Sequence, residues 1–316
     1  MRFDSRGLVS TYISQWMPLG DVTRQAVAGY FGGGSASVAT SEIDKITFPA
    51  DTKTTIAATL TSSNEAVVGM ANSGVAGYFG GGYDGAPISR IDKITFPADT
   101  KTTLSATLTS ARYFLAGMAN SGVAGYFGGG NTPSATNGID KITFPADTKS
   151  TLSATLTTAR DTLAGMSNNT VAGYFGGGFD TARISGIDKI TFPADTKTTL
   201  SATLTAAVNY LTAMANDAVA GYFGGGSDGS YVSTIDKISF PADTKSTLSA
   251  TLTTARGAPA GMANSGVAGY FGGGINGLKI SDIDKITFPA DTKTTLSATL
   301  TAAKNNMGAF SDCGVF

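Results

Sequence analysis

The six residues GYFGGG, from Gly29 to Gly34, decide how this chain is read. A glycine-rich turn after a short apolar run is how many proteins cradle a phosphate, but the details here disagree with that use. A dinucleotide fingerprint needs G-x-G-x-x-G between a strand and a helix, whereas two aromatics separate Gly29 from Gly32 and no helical pattern follows. No Lys-Ser/Thr pair completes a P-loop. The same six letters return with Tyr78, Tyr126, Tyr174, Tyr222 and Tyr270, each 48 residues after the one before, so the motif belongs to a repeat.

Counted from Gly29, six such units run to Phe316. A typical unit reads GYFGGG, eight variable residues, IDKITFPADTKTTLSATLT, a second variable patch and GMANSGVA. VAGYF and IDKITF are β-branched and aromatic runs, TLSATLT alternates apolar with polar residues, and LAGMA supplies a fourth, weaker strand. NSG and PADTK between them carry turn chemistry, as in Asn72 with Gly74 and Pro49 with Asp51. Four short antiparallel strands per unit predict a propeller blade. The chain therefore reads as all-β, a six-bladed β-propeller over residues 27–316 preceded by an N-terminal extension, residues 1–26.

An open array of blades would leave unpaired edges at its two ends. Residues 305–316 correspond to the inner strand of a blade whose other three strands lie between Val27 and Thr61, which predicts closure by the C-terminal strand joining the first sheet. The competing segment, Pro18 to Arg24, is disfavoured by Pro18 and by the charge of Asp21. Cys313 falls in the closing segment and is expected to be a buried thiol. Adjacent strand residues point to opposite faces. Tyr30 with Phe31, Tyr78 with Phe79, Tyr126 with Phe127, Tyr174 with Phe175, Tyr222 with Phe223, and Tyr270 with Phe271 should therefore wedge against the two neighbouring blades.

Composition removes several classes of chemistry. Histidine is absent and Cys313 is the single cysteine, so a His-dependent triad, a cysteine-rich zinc site and an internal disulfide framework all fail. The formal net charge of -1 gives no electrostatic footprint for nucleic acid or an anionic membrane. The first residues, with Asp4 and Arg6 and no continuous apolar run, do not read as a signal peptide. Asp44-Lys45 and its five equivalents could suggest a ring of catalytic acids or metal ligands; each Asp has an adjacent Lys inside the scaffold, so ion pairs or hydrogen bonds between blades are preferred. No cofactor or metal is expected.

The unit resembles the kelch motif in three respects: an apolar run ending in a glycine doublet (YFGGG), a later aromatic strand (ITF), and an arginine before the next inner strand (Arg112, Arg160 or Arg256). The kelch tryptophan has no counterpart, since Trp16 lies outside the array. GYFGGG followed by IDKITFPADT is also similar to repeat proteins encoded by tailed cyanophages and described as virion or tail-fibre components. That likeness covers residues 27–316 and implies a virion location, with other virion proteins as partners.

Comparing the units with one another locates the candidate site. Variation concentrates in the eight residues after GGG and in the patch before the inner strand, while ANSG and PADTKT hardly change. In an up-and-down meander both variable patches emerge on one face and the constant turns on the other. The variable face carries Tyr83, Asp84, Arg90, Arg112, Tyr113, Phe114, Arg160, Asp161, Phe179, Arg183, Asn209, Tyr210, Asp228, Tyr231, Asn276 and Lys279. Aromatic anchors among small polar residues resemble a recognition surface; neutral drift of exposed loops would give similar variation. For the arginines a structural or anion-contacting role is preferred to catalysis. The expected function is a surface-exposed phage adsorption component of tail-fibre or baseplate type. It would bind a host glycan or protein through the variable face, and the extension or the constant face would attach it to other virion proteins. The alternatives are an architectural tail or capsid decoration and, third, a glycan-active enzyme.

Overall fold

A computed structural model describes residues 26–312 and forms a six-bladed β-propeller of four-stranded antiparallel sheets, consistent with a kelch-like repeat protein. Blade 2 is typical. Its inner strand Val68–Asn72 pairs with Ala76–Gly80, which pairs with Ile91–Thr95, which pairs with the outer strand Thr100–Thr103. Blades 3 to 6 repeat this order 48 residues apart. The inner strands touch one another in chain order, and the last touches the first.

Closure occurs as the repeat phase predicts. Gly308–Ser311 is the inner strand of blade 1, and pairs with Ala28–Gly32 in the register Tyr30↔Phe310 and Gly32↔Gly308. The carboxylate of Asp312 accepts hydrogen bonds from the backbone N–H of Val27 (2.8 Å) and Ala28 (2.9 Å) and ties the two ends of the chain together. Residues 1–25 and Cys313 lie outside the described region, and with them the proposed extension, the competing segment at Pro18 and the buried-thiol reading.

Each interface between blades contains one apolar cluster. Tyr30 packs with Phe79, Phe96 and Phe310 towards blade 2, while its neighbour Phe31 packs with Tyr270 and Ile283 of blade 6. Tyr30 and Phe31 are both fully buried. Glycine makes these approaches feasible: a Cβ on Gly77 would collide with the Phe310 ring, and one on Gly272 would come within 2.7 Å of the Phe31 ring. Gly33 and Gly34, at φ 66° and 99°, turn the chain out of the second strand into the variable loop, a conformation that costs glycine little.

A repeated polar link reinforces the wedges. The hydroxyl of Tyr30 donates to Asp99 in the turn of the next blade at 2.7 Å, and Lys45 donates to the other oxygen of Asp99 at 2.7 Å. All six interfaces carry the tyrosine bond, at 2.7–2.8 Å, including Tyr270 to Asp51 across the closure. The Asp-Lys doublet thus splits its work. Its lysine bridges to the following blade, while its buried aspartate receives Thr301 or an equivalent from the preceding one.

The outer strand differs from the sequence expectation. TLSATLT does not form it; Thr52–Thr55, TKTT, does, because the turn at Pro49–Asp51 already sets Thr52 opposite Thr47. TLSATLT is instead an extended crossover. Its alternation places Leu60 in the apolar cluster and lets Thr61 bind Asp92 of the next blade through both N–H (2.8 Å) and hydroxyl (2.7 Å).

Candidate binding face

The two variable patches of each blade meet directly. In blade 2, Glu65 before the inner strand and Tyr83 after GGG exchange backbone hydrogen bonds of 3.1 and 2.8 Å. Matching bridges join Tyr113 to Asn131, Asp161 to Phe179, Asn209 to Ser227, Gly257 to Ile275 and Ser35 to Asn305. Both patches therefore share one face. The constant turns occupy the other, where Phe96 N–H bonds to Val75 C=O at 2.9 Å.

At the axis of the variable face six residues form a closed chain of backbone hydrogen bonds. Ala66 N–H donates to Asn306 C=O, Phe114 to Ala66, Thr162 to Phe114, Tyr210 to Thr162, Ala258 to Tyr210 and Asn306 to Ala258, at 2.6–3.2 Å. All six have positive φ, from 51° to 57°. This region is uncommon for residues other than glycine, asparagine and aspartate, and an outlier for Thr162 or the bulky Phe114 and Tyr210. Such strain persists where the surroundings fix it, and it clusters at functional sites. A cavity of about 110 Å³ lies at the axis, lined by this ring and the inner strands below it. Comparison of the repeats finds Phe114 and Tyr210 but not the ring, because Asn306 is the one residue of the six whose type favours a left-handed conformation.

Four of the candidate aromatics form a row from blade 2 to blade 5, which stand opposite each other in the ring of six. Tyr83 lies edge-on to Tyr113 with ring centres 5.5 Å apart, Tyr113 is 5.0 Å from Phe114, and Phe114 meets Tyr210 edge-on at 5.3 Å. Tyr231 flanks the row, 40 % exposed, and Tyr83 is 37 % exposed. Burial raises the Tyr210 hydroxyl above its ordinary pKa, and Asp161, Tyr113 and Tyr231 nearby raise it further, so it stays a neutral donor. Asp161 accepts from Asn131 Nδ2 at 2.8 Å and from Thr162 Oγ1 at 3.1 Å, which fixes a carboxylate beside the row.

Other expected site residues have structural occupations. Arg112 and Arg160 do not reach the variable face, a correction to their reading as contact residues. Both are 2 % exposed, and each guanidinium turns into its blade, Arg112 to Asp140 at 2.8 Å and Arg160 to Asp188 at 3.0 Å. Arg256 behaves likewise towards Asp284. Burial alone would push the Asp140 carboxyl up, but the Thr109 hydrogen bonds and the Arg112 charge outweigh it and leave the pKa low. Arg90 braces loops through Ser62 (2.5 Å), Arg183 through Asn209 (3.3 Å), and Lys279 through Ser35 (2.8 Å). Asn209 is buried, and Phe179 is half-buried beside Asp161. Asp84, Asp228 and Asn276 are exposed at loop tips. Among the described residues no group of three His, Cys, Asp or Glu could hold a metal ion.

No known family model and no curated protein matches the chain.

Proposed function

We propose that this chain is a virion component of a tailed phage, surface-exposed and of tail-fibre or baseplate type, which binds a host surface glycan or protein through its variable face. The observation that carries the reading is the aromatic row Tyr83–Tyr113–Phe114–Tyr210 beside the strained axial ring. Rigid tyrosines offer apolar area with a polar tip at low conformational cost, and Asp161 adds a fixed acceptor. The C–H faces of a sugar ring suit such a row, and the hydroxyls suit Asp161. The reading needs no covalent step.

The opposite face suits attachment to the particle. Val27, Val75, Val123, Val171 and Val219 are exposed there, one in each of five blades, in a repeated arrangement that a neighbouring virion protein could cover.

The test is binding of the purified protein to intact host cells and to a glycan array, against a variant carrying Tyr83→Ser, Tyr113→Ser and Tyr210→Asn. Asparagine is chosen at 210 because it tolerates the left-handed backbone. Losing a hot spot costs about 2 kcal/mol or more, so the variant should bind at least about tenfold more weakly. Unchanged binding by the variant would remove this face from the reading, and no binding by the parent protein would favour an architectural subunit.

A further inference from the structure

The buried arginines identify a place where one is missing. In blade 4, Arg160 spans Phe175 C=O (3.1 Å), Gly186 C=O (3.4 Å) and Asp188 Oδ2 (3.0 Å). In blade 3, Arg112 makes the same three contacts one repeat earlier, to Phe127 C=O, Gly138 C=O and Asp140 Oδ2. Blade 6 uses Arg256 on Asp284, and at the closure Lys304 stands 3.2 Å from Asp44. Blade 2 has Asn64 at this phase, but there Arg90 Nε lies 3.8 Å from Asp92 Oδ2. Blade 5 has Val208, and Thr234 stands where blade 2 has Arg90.

Asp236, the aspartate of blade 5, is nevertheless buried, at 6 % exposure. Its Oδ1 accepts from Thr205 and Thr247 and faces Lys245 at 3.2 Å, as the equivalent oxygen does in blade 4. Its Oδ2 accepts from Thr205 N–H at 2.7 Å, whereas Asp188 Oδ2 accepts both from Thr157 N–H and from Arg160. Beside it lies a cavity of about 160 Å³, lined by Val208, Leu211, Phe223, Thr234 and Asp236, with the exposed Asp228 of the variable face at its edge. That volume exceeds the ~10–15 Å³ one water needs several times over. The backbone around Val208 matches that around Arg160: Val208 N–H bonds to Ile184 C=O and Val208 C=O receives Gly178 N–H, as Arg160 does with Thr136 and Gly130. The acceptors are thus set for a guanidinium that the chain does not supply.

We infer that the blade 5 cavity is a binding site for a guanidinium group, which seats on Asp236 Oδ2 and the carbonyls of Phe223 and Thr234 as Arg160 does one blade earlier. A guanidinium fits because its planar donors match this acceptor set, and because it is less strongly hydrated than an ammonium. Asp228 at the edge adds attraction for the incoming cation. The ligand is either a small free guanidine or the arginine side chain of a partner. The site is independent of the aromatic row.

Titration calorimetry with methylguanidinium chloride, against equal sodium chloride, tests this. The parent protein should show saturable one-site binding, Asp236→Asn at least about tenfold weaker binding, and Val208→Arg none, because its own side chain fills the site. Val208→Phe fills the cavity without charge and should also abolish binding, which keeps the test decisive if Val208→Arg does not fold. A blocked Gly-Arg-Gly peptide separates the sources: binding at least as tight as methylguanidinium assigns a partner's side chain, and failure to bind assigns a small guanidine. No saturable heat with the parent protein, undiminished binding by Val208→Arg or Val208→Phe, or equal affinity for methylammonium would overturn the inference.

Discussion

Tyr126 and its five equivalents each bury a ring at a blade interface and donate to an aspartate across it. Burial raises these hydroxyls far above the ordinary tyrosine value, and the Asp partners add to the effect. Their folded pKa lies above the unfolded value of about 10. The stability they contribute is therefore complete below that pH and is lost as pH rises through the raised range. Ultraviolet titration should show these six tyrosines silent near pH 10 and ionising together as the ring unfolds at higher pH; independent titration near pH 10 would contradict the packing. The pairing of Tyr30 with Phe31 on opposite faces was legible because adjacent strand residues must diverge. The inward turn of Arg112 was not, since phase fixes a residue's height along the blade and leaves open whether a long side chain folds in or out.

At the scale of the element, the closing strand Gly308–Ser311 has no redundancy. Phe310 contacts Tyr30, Phe79 and Phe96 from within it, and its loss would expose the edge of Ala28–Gly32. Truncation before Asn305 should lower the thermal midpoint sharply and promote association through that edge; an unchanged midpoint would show that the ring closes in another way. Closure was readable because the repeat phase leaves three strands at one terminus and one at the other. The outer strand was misplaced for a specific reason. The alternation in TLSATLT is real, but it serves Leu60 and Thr61 in a crossover, and alternation alone does not reveal whether a ladder partner is present. The left-handed residues at Ala66 and Thr162 are similarly invisible, being imposed by the axial hydrogen-bond ring and not by local preference.

For the molecule as a whole, six near-identical scaffolds carry unequal loops. The aromatic row joins loops of blades 2, 3 and 5, and the cavity beside Asp236 lies at blade 5, so the variable face departs from the sixfold repeat of the scaffold. On the proposed function, that face must point away from the particle, with the constant turns and residues 1–26 against it. A density map of the assembled phage at a resolution that distinguishes the two faces of the ring measures this directly. The account predicts the valine-bearing turns against a virion neighbour and Tyr83, Tyr113 and Tyr231 open to solvent; a ring seated with those tyrosines against the particle would contradict it.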